Sequence, residues 1–493
     1  MPAIAEPDYF DRLATELAVA GPAEMHADEI GHGMEIETPA GRRRLLYADH
    51  IASGRALGRI ETAVLRDVLP YYANSHTRAS FCGAAMTAAR THARAFIARQ
   101  MNAGPDHAVI FCGSGATAGI NRLVHLFGLR QAVAQGRHVT VLIGPWEHHS
   151  NILPWRESGA EVIELPEGPG GPCQQALQAA LQERPGALIV GAFSAASNVT
   201  GAIADVPRIT AILKRNGALS VWDYAGGAPY LPINLAEQGI DAIAVSPHKF
   251  PGGPGASGIL CVRRDTCRAQ VPTFPGGGTV RFAAPERHTY SLDVSSREEG
   301  GTPNVVGDLR AAMAFAIKSA LGTDWLARRH AVLVDLALTR LTKSPGIELL
   351  PVPEGPRLPI FSLRLRDSRG ALIHHQLATR LLSDHFGVQA RGGCACAGPY
   401  VHRLLGINEA DSLDIEARIA AGDEFARPGF LRFNLSALLS ENETCRILDA
   451  ICDLPRLAET EASAYRGDVA NAVFLPVSPV RNIVETAGSA LIQ

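Results

Sequence analysis

Three short segments carry residue types that could bind and use one small cofactor. Residues 113–117 (GSGAT) open a predicted helix, and such a glycine-rich turn presents N–H groups and a positive dipole end to a phosphate. Asp223 follows a predicted strand and can pair with a protonated ring nitrogen, which lets a pyridine ring act as an electron sink. Lys249, beside a second glycine-rich turn, can form an imine with an aldehyde.

Three further polar residues follow predicted strands and complete this set. Asn198 can donate a hydrogen bond to a ring hydroxyl, and Ser246 and His248 can donate to phosphate oxygens. Each segment alone has an ordinary interpretation: a plain βα turn, a helix cap, or a solvated His-Lys pair. Their consistent order at strand ends favours one joint site, because ligands of open α/β sheets bind beyond the carboxyl ends of the strands.

The elements that position these residues are apolar runs separated by stretches with helical spacing. Seven runs between residues 43 and 262 are predicted strands: 107–112, 139–143, 161–165, 187–192, 219–222, 242–245 and 258–262. Helical spacing occurs between them, for example over 84–101 and 207–216. Strands that are apolar throughout and alternate with helices predict a mostly parallel sheet covered on both faces.

A second region begins near residue 308 with a long helical pattern that extends to residue 344. It continues with predicted strands at 360–365 and near 430–434, and a helix near 374–386, which indicates an α+β domain. We therefore predict a large domain over 43–307, a smaller domain formed by 1–42 and 308–465, and a C-terminal tail over 466–493. The polar segment 408–428 is predicted to be a surface insertion.

Composition narrows the class of protein. The 493 residues exceed what one hydrophobic core usually serves. A formal net charge of −3 offers no electrostatic footprint for nucleic acid or an anionic membrane. The start of the chain lacks a secretory signal pattern, no apolar run approaches a membrane span, and nine cysteines are mostly scattered. These features predict a cytoplasmic protein with reduced thiols and without nucleic-acid or membrane partners.

Taken together, these motifs resemble the class V, fold-type I family of pyridoxal-phosphate (PLP) enzymes, and within it the cysteine desulfurases and selenocysteine lyases. The resemblance runs from about residue 47 to 435 and includes 147–151 (EHHSN), 197–201 (SNVTG) and 246–249 (SPHK). It implies a fold-type I transferase: a large domain with a mostly parallel seven-stranded sheet plus a smaller α+β C-terminal domain. It also implies a homodimer that carries pyridoxal 5'-phosphate.

The resemblance assigns roles residue by residue. Lys249 would be the Schiff-base lysine, with Asp223 on the pyridine nitrogen, His148 stacked on the ring and Asn198 at the ring hydroxyl. The remaining implied cofactor residues, around the phosphate, are Ser114, Gly115, Ala116, Thr117, Ser246, His248 and, from the neighbouring subunit, Thr302.

Arg391 and Cys396 occupy the family's substrate and sulfur positions. Arg391 corresponds to the arginine that clamps the substrate α-carboxylate, with a surface charge as the alternative. Cys396 corresponds to the thiol that takes sulfur from PLP-bound cysteine. A structural cysteine, a Cys-x-Cys metal site and a family member without desulfuration are the alternatives for Cys396. A metal would need more ligands nearby, so no metal is predicted.

The chain departs from the family pattern at two places. Gly226 stands where relatives carry Gln or His, which removes a polar group near the reacting carbon. Cys394 and Ala395 replace histidines that precede the nucleophile, so Cys394 could relay sulfur, resolve a persulfide, or act as a spacer. The predicted activity is a cysteine desulfurase that forms a Cys396 persulfide and alanine, with a sulfur-acceptor protein as partner. The alternatives are another class V reaction (lyase, aminotransferase or epimerase) and a non-catalytic PLP-fold partner.

Overall fold

A computed structural model describes residues 1–477 of the chain, which forms two compact units. The first unit comprises Met1–Ile30, His50–Val332 and Val352–Leu358. The second comprises Gly31–Asp49, Leu333–Pro351 and the chain from Pro359 onward. None of the helices within residues 1–477 combines the length and apolar character that a membrane crossing requires.

Sixteen α-helices are labelled in chain order. They are α1 Tyr9–Ala27, α2 Gly58–Ala63, α3 Phe81–Gln100, α4 Gly115–Leu126, α5 Leu129–Ala134, α6 Leu153–Arg156, α7 Gln174–Gln182, α8 Val206–Arg215, α9 Leu235–Gln238, α10 Val294–Glu298, α11 Val305–Leu321, α12 Thr323–Leu341, α13 His375–Leu381, α14 Gly398–Leu405, α15 Glu409–Ala420 and α16 Glu441–Glu461. The strands of the two main sheets follow in the same way. They are β1 His107–Phe111, β2 Val139–Ile143, β3 Glu161–Glu164, β4 Leu188–Ser194, β5 Leu219–Asp223, β6 Ala242–Val245, β7 Ile259–Arg263, β8 Ile347–Leu349, β9 Ile360–Arg366, β10 Leu372–Ile373, β11 Arg391–Gly393 and β12 Phe430–Asn434.

The first unit is built on a seven-stranded sheet in the order β1-β7-β6-β5-β4-β2-β3. All strands run parallel except β7, which is antiparallel to both β1 and β6. The predicted mostly parallel seven-stranded sheet is confirmed. The four central strands β4, β5, β6 and β7 are buried along almost their whole length, because helices cover both faces of the sheet.

The carboxyl ends of six strands therefore lie along one edge of this sheet. Ser194 and Asp223 are the last residues of β4 and β5, and Ser246 follows β6 directly. The turn after β1 leads into α4, whose first residue is Gly115. This topology brings side chains from segments far apart in sequence to one place.

The long helical pattern predicted over 308–344 is interrupted in the structure. It forms two helices, α11 and α12, which are separated by Gly322 with a φ of 74°. Apolar spacing continues across this break, but the left-handed backbone that glycine readily adopts ends the first helix.

The unit boundaries differ from the predicted domain boundaries at the N-terminus and after residue 307. Residues 1–30 and 308–332 belong to the first unit, whereas the prediction assigned 1–42 and 308–465 to the smaller domain. The physical reason is that α1 packs along α11, and α11 is buried along nearly all of its length. Residues 43–49, predicted in the large domain, belong to the second unit because Leu46–Tyr47 pairs with Val388–Gln389.

The second unit has an antiparallel sheet in the order β8-β9-β12-β11, with β10 paired to β9. Its core contains Phe361 and Phe433, whose rings stack with centroids 5.2 Å apart, and the buried face of α16. The predicted polar insertion 408–428 contains α15, which has no buried residue. The predicted tail over 466–493 begins within a hairpin. Tyr465–Asp468 pairs with Val473–Pro476, and Tyr465, directly before the tail, is buried. Residues 478–493 of that tail lie outside the described residues.

Candidate functional site

A cavity of about 180 Å³ lies at the carboxyl edge of the large sheet. It is lined by residues from five different segments of the first unit. These residues are Ser114, Ala116, Thr117, His148, Ser150, Ser194, Ala196, Asn198, Asp223, Ala225, Gly226, Ser246, His248 and Lys249. The structure thus brings together nine of the sequence-predicted cofactor residues, and the tenth, Gly115, lies between Ser114 and Ala116.

One end of the cavity is formed by the N-terminus of α4. The Ala116 N–H donates to the Ser246 hydroxyl oxygen at 2.9 Å, and the Thr117 and Ser150 hydroxyls are 2.7 Å apart. Gly115 has a φ of 64°, and a Cβ there would lie 2.7 Å from the Ser246 hydroxyl and 2.9 Å from the His248 ring. Position 115 therefore requires glycine. The turn presents backbone and hydroxyl donors at the helix N-terminus, where the helix dipole stabilises an anion.

The other end of the cavity contains a buried carboxyl group. Asp223 is 4% exposed, and one of its oxygens accepts a hydrogen bond from the Ala225 N–H at 2.8 Å. Burial raises the pKa of Asp223, while the nearby charge of Lys249 acts in the opposite direction. A buried carboxylate of this kind is stabilised by a cationic partner, and a protonated ring nitrogen would serve.

The two histidines of the cavity differ in their environment. His148 precedes a 3₁₀ turn, and its Nδ1 accepts a hydrogen bond from the Ser150 N–H at 3.1 Å, which fixes the plane of the ring. Burial and the charge of Lys249 lower the pKa of His248. A phosphate placed between the α4 N-terminus and His248 would offset that unfavourable environment, because its negative charge favours the protonated imidazole.

Sequence reasoning missed a buried network beneath the cavity that centres on Glu147. The Glu147 carboxylate accepts hydrogen bonds from the Ser194 N–H at 2.9 Å, the Ser194 hydroxyl at 2.5 Å and the Asn151 amide at 2.6 Å. Asn151 in turn accepts from the Trp155 indole N–H at 2.9 Å. Burial raises the pKa of Glu147 to about 7. The polar segment 147–151 (EHHSN) indicated a functional site, but the sequence did not show that Glu147 would be buried.

These residues fit pyridoxal phosphate. A glycine-rich helix N-terminus with hydroxyl donors suits the phosphate, and the buried Asp223 suits the pyridine nitrogen. Lys249 lines the same cavity, where it can hold an aldehyde carbon. Gly226 also lines it, and a Cβ there would lie 3.4 Å from the Ala196 carbonyl and 3.5 Å from Ile51. A Cβ at position 226 would thus lie in van der Waals contact with backbone and an isoleucine.

In the second unit, Arg391 forms part of a charged cluster that sequence reasoning identified only in part. The side chain of Arg391 is 53% exposed, and its Nε donates to Asp49 at 2.9 Å. The other Asp49 oxygen accepts from the buried Arg432 at 2.9 Å. The Nε edge of the Arg391 guanidinium is therefore held in place by Asp49, while the rest of the group remains accessible. The signal for Arg432 was available, as a lone charge within the apolar strand β12.

Cys396 lies in a tight turn directly after β11. The Ala397 N–H donates to the Cys394 carbonyl at 3.1 Å, and the central residues Ala395 and Cys396 have φ values of 53° and 54°. Two non-glycine residues in the left-handed region cost of order 1–2 kcal/mol each. Cys396 is exposed and Cys394 is half-buried. Such strain is retained where the surrounding fold over-determines the backbone, and it is concentrated at functional sites.

Thr302 does not line the cavity. It is exposed in the first unit, next to Gly301, whose N–H donates to the Gly277 carbonyl at 2.8 Å and whose carbonyl contacts His76 at 3.0 Å. The side chain of Glu299, three residues earlier, is 9% exposed and is bound by Arg90 and Arg94 at 2.8 Å and 2.7 Å. The segment directly before Thr302 is therefore anchored, whereas Thr302 itself is exposed.

Comparisons with known proteins agree with this fold. The probable cysteine desulfurase of Halalkalibacterium halodurans is 29% identical over 368 residues, which cover 73% of this chain and 86% of that protein. The cysteine desulfurase of Pectobacterium carotovorum is 30% identical over 329 residues, covering 66% and 76%. A cysteine desulfurase structure from Escherichia coli matches with a TM-score of 0.68 at 22% identity, over 89% of this chain and 99% of that one, which shows a shared fold.

A protein-family model also matches most of the chain. Residues 46–435 match the model described as aminotransferase class-V. This span covers all seven strands of the large sheet, every residue that lines the cavity, and the turn with Cys394 and Cys396. The predicted family and fold class are confirmed, and the chain belongs to the class V aminotransferase family.

Proposed function

We propose that this chain is a PLP-dependent cysteine desulfurase that moves sulfur from L-cysteine onto Cys396 and releases alanine. The observation that carries the proposal is the single cavity that joins Lys249, the buried Asp223 and a glycine-rich helix N-terminus. Relatives at 29–30% identity are named cysteine desulfurases, and an exposed cysteine occupies the turn after β11 in this chain.

PLP supplies an electron sink for charge that develops on the substrate α-carbon. The Asp223 carboxylate would pair with the protonated ring nitrogen, and the His148 ring would lie against the cofactor. Ser246, His248 and the α4 N–H groups would hold the phosphate. Lys249 would bind the cofactor aldehyde through its Nζ, and the same atom would take the substrate α-proton.

The substrate is oriented by its carboxylate and cleaved at its sulfur. The accessible edge of the Arg391 guanidinium binds the substrate carboxylate, because its planar N–H groups can form two parallel hydrogen bonds to the two oxygens. The Cys396 thiolate attacks the substrate sulfur, so that the bond between sulfur and the substrate Cβ breaks and a persulfide forms on Cys396. The Cβ then gains a proton, the α-carbon regains the proton held on the Lys249 Nζ, and alanine leaves.

Gly226 favours a second candidate function, a C–S lyase. Glycine at this position contributes no polar side chain to the lining of the cavity. Sulfide would then leave directly, without transfer to Cys396, and the carbon product of cysteine would be pyruvate.

Product analysis of three proteins tests the proposal. Wild type with L-cysteine and a thiol reductant is expected to give alanine and sulfide in equal amounts. Cys396→Ser removes the sulfur acceptor, so it is expected to bind L-cysteine with a change in cofactor absorbance but to lose at least about 10²-fold in alanine production. Cys452→Ser, which replaces another half-buried thiol of the second unit, serves as the control and keeps full activity.

Two results would count against this function. Pyruvate with sulfide in wild type would support the lyase, and full alanine production by Cys396→Ser would eliminate the persulfide.

The proposal includes a homodimer and a sulfur-acceptor protein. Support for the dimer comes from the exposed Thr302 and from apolar side chains on the segment before it, including Phe274 at 59% and Phe282 at 49% exposure. Thr302 would reach the phosphate bound by the partner subunit. A charge-assisted contact contributes roughly 1.5–3 kcal/mol, so Thr302→Ala is expected to weaken PLP binding about tenfold or more. A monomer with wild-type PLP affinity would contradict the dimer.

A further inference from the structure

The turn after β11 contains two thiols with one residue between them. We propose that Cys394 is a second sulfur carrier, which takes the outer sulfur from a Cys396 persulfide and holds it until an acceptor arrives. This inference rests on the proposed function, because the persulfide on Cys396 is its starting point.

The shape of the turn brings the two residues into reach of each other. The hydrogen bond from the Ala397 N–H to the Cys394 carbonyl closes the turn, so Cys394 is its first residue and Cys396 its third. A reversing backbone keeps Cα atoms two residues apart within the roughly 4.4–6.8 Å over which sulfur atoms can meet. The positive φ values at Ala395 and Cys396 show that the fold holds this reversal against a local preference.

Each thiol also has its own arginine. Arg432, buried and held by Asp49, interacts electrostatically with Cys396. Arg427, whose side chain is 55% exposed and bound to Glu424, interacts electrostatically with Cys394. Both cysteines therefore lie within the electrostatic reach of a guanidinium group.

A second cavity, of about 290 Å³, lies wholly within the second unit. Arg427, Gly429 and His375 are part of its lining. Position 429 requires glycine, because a Cβ there would lie 2.8 Å from the Cα of Gly393, the residue before Cys394. One lining residue of this cavity is thus in close contact with the last residue of β11, directly before the turn.

Part of the second cavity is aromatic. The rings of His374 and His375 stack with centroids 4.3 Å apart, and Phe425 packs edge-on against His374 at 4.8 Å. Burial, with repulsion from His374, lowers the pKa of His375 to about 3, so this imidazole is neutral. An acceptor that bears a thiol next to an apolar or aromatic group would fit against these rings.

The transfer step balances without any further reactant. The Cys394 thiolate attacks the outer sulfur of the Cys396 persulfide, a new S–S bond forms on Cys394, and the S–S bond on Cys396 breaks. The Cys396 thiolate leaves with the electron pair, and the outer sulfur keeps its proton. Cys396 is then free to take a second sulfur from another L-cysteine before any acceptor arrives.

The number of alanines formed without an acceptor tests this proposal. PLP-loaded protein is mixed with excess L-cysteine in the absence of a reductant, quenched with an alkylating agent, and analysed for alanine and by mass spectrometry. Wild type is expected to release about two alanines per chain in the initial burst and Cys394→Ser about one. The matched control Cys452→Ser, another half-buried thiol, is expected to behave as wild type.

Fragment spectra locate the sulfur, because both cysteines lie on one tryptic peptide. Added sulfur on both Cys394 and Cys396 in wild type would support the proposal. A burst of two alanines in Cys394→Ser, with both sulfurs on Cys396, would overturn it. So would a Cys394–Cys396 disulfide formed with release of sulfide. A wild-type burst of one alanine, with the added sulfur confined to Cys396, would overturn the role of Cys394 alone. A wild type that forms no alanine and carries no added sulfur would instead contradict the proposed desulfurase function.

Discussion

The cavity of the first unit and the turn of the second differ in how the fold treats their reactive groups. Around the cavity, Asp223, Ser246 and His148 are each fixed by a hydrogen bond to a backbone N–H, and a buried Glu147 network lies beneath them. In the turn, Cys396 is exposed and its backbone adopts a left-handed conformation that non-glycine residues disfavour.

This difference corresponds to two physical tasks. A cofactor that must stay bound needs donors and charges that are ordered before it arrives, because pre-organisation lowers the cost of binding. A thiol that accepts sulfur and passes it on must be reachable from solvent, so it cannot be buried in the same way. We therefore expect substitutions in the cavity to have large effects on cofactor and stability, and substitutions in the turn to have smaller effects that are confined to substrate and sulfur.

The largest effect is expected for Lys249→Ala. Loss of the amine removes both the covalent attachment and a proton carrier, and proton transfer alone contributes about 10²–10⁴-fold to a rate. Alanine production should fall by at least 10³-fold, and borohydride should no longer fix the cofactor on a peptide that contains residue 249. The exposed Lys343→Ala is the control and should retain both properties. Cofactor fixed on another lysine in wild type would contradict the assignment.

Glu147→Gln should change how stability depends on pH. Because burial raises the pKa of Glu147 to about 7, the folded state favours the protonated carboxyl. Its contribution to stability is therefore complete below the unfolded pKa near 4.3 and is lost as pH rises to about 7. The glutamine side chain does not ionise, so the free energy of unfolding of the variant does not fall in this way. The free energy of unfolding of wild type, relative to that of the variant, should therefore fall by about 3 kcal/mol between pH 4.5 and 7.5.

Urea unfolding followed by tryptophan fluorescence measures this effect, because all four tryptophans lie in the first unit. The exposed Glu157→Gln is the control, and its stability difference from wild type should not vary with pH in this way. Parallel pH profiles for wild type and Glu147→Gln would show that Glu147 ionises normally.

The two regions also differ in what the sequence could predict. All seven strands of the large sheet were predicted to within two residues, because each is a short apolar run between helical stretches. The antiparallel direction of β7 was not predictable, since apolar periodicity carries no information on strand direction. The break at Gly322 was also missed, because the apolar spacing continues across it.

Residues that matter through long-range burial were the hardest to recognise. Glu147 precedes polar neighbours that suggest exposure, yet it is buried and binds Ser194, 47 residues later in the chain at the end of another strand. Asp49 connects Arg391 and Arg432 across more than 340 residues of sequence, and no local pattern predicts such a pairing. The cofactor residues were recognisable because each directly follows a strand or opens a helix.

A smaller effect is expected for Arg391→Lys. Lysine keeps the charge but loses the planar fork, so one of two charge-assisted hydrogen bonds to the substrate carboxylate is lost. The KM for L-cysteine should rise about tenfold, which corresponds to about 1.4 kcal/mol, while kcat and cofactor absorbance stay nearly unchanged. Arg418→Lys, an exposed arginine paired with Asp423, is the control. An unchanged KM in Arg391→Lys would mean that another group, such as Arg432, binds the carboxylate.

The smallest effect concerns strain in the turn itself. Ala395 has a φ of 53°, which costs an alanine about 1–2 kcal/mol relative to glycine in the folded state. Glycine loses roughly 0.4–1 kcal/mol more backbone entropy on folding, so Ala395→Gly should leave stability unchanged or raise it by up to about 1 kcal/mol. Ala390→Gly, five residues earlier and without a positive φ, should instead lose about 0.5–1 kcal/mol. Denaturant-dependent hydrogen exchange of β12 amides in the second unit compares the two variants. Equal losses in both would mean that the turn is not strained, and the contrast between a relaxed cavity and a strained turn would have to be abandoned.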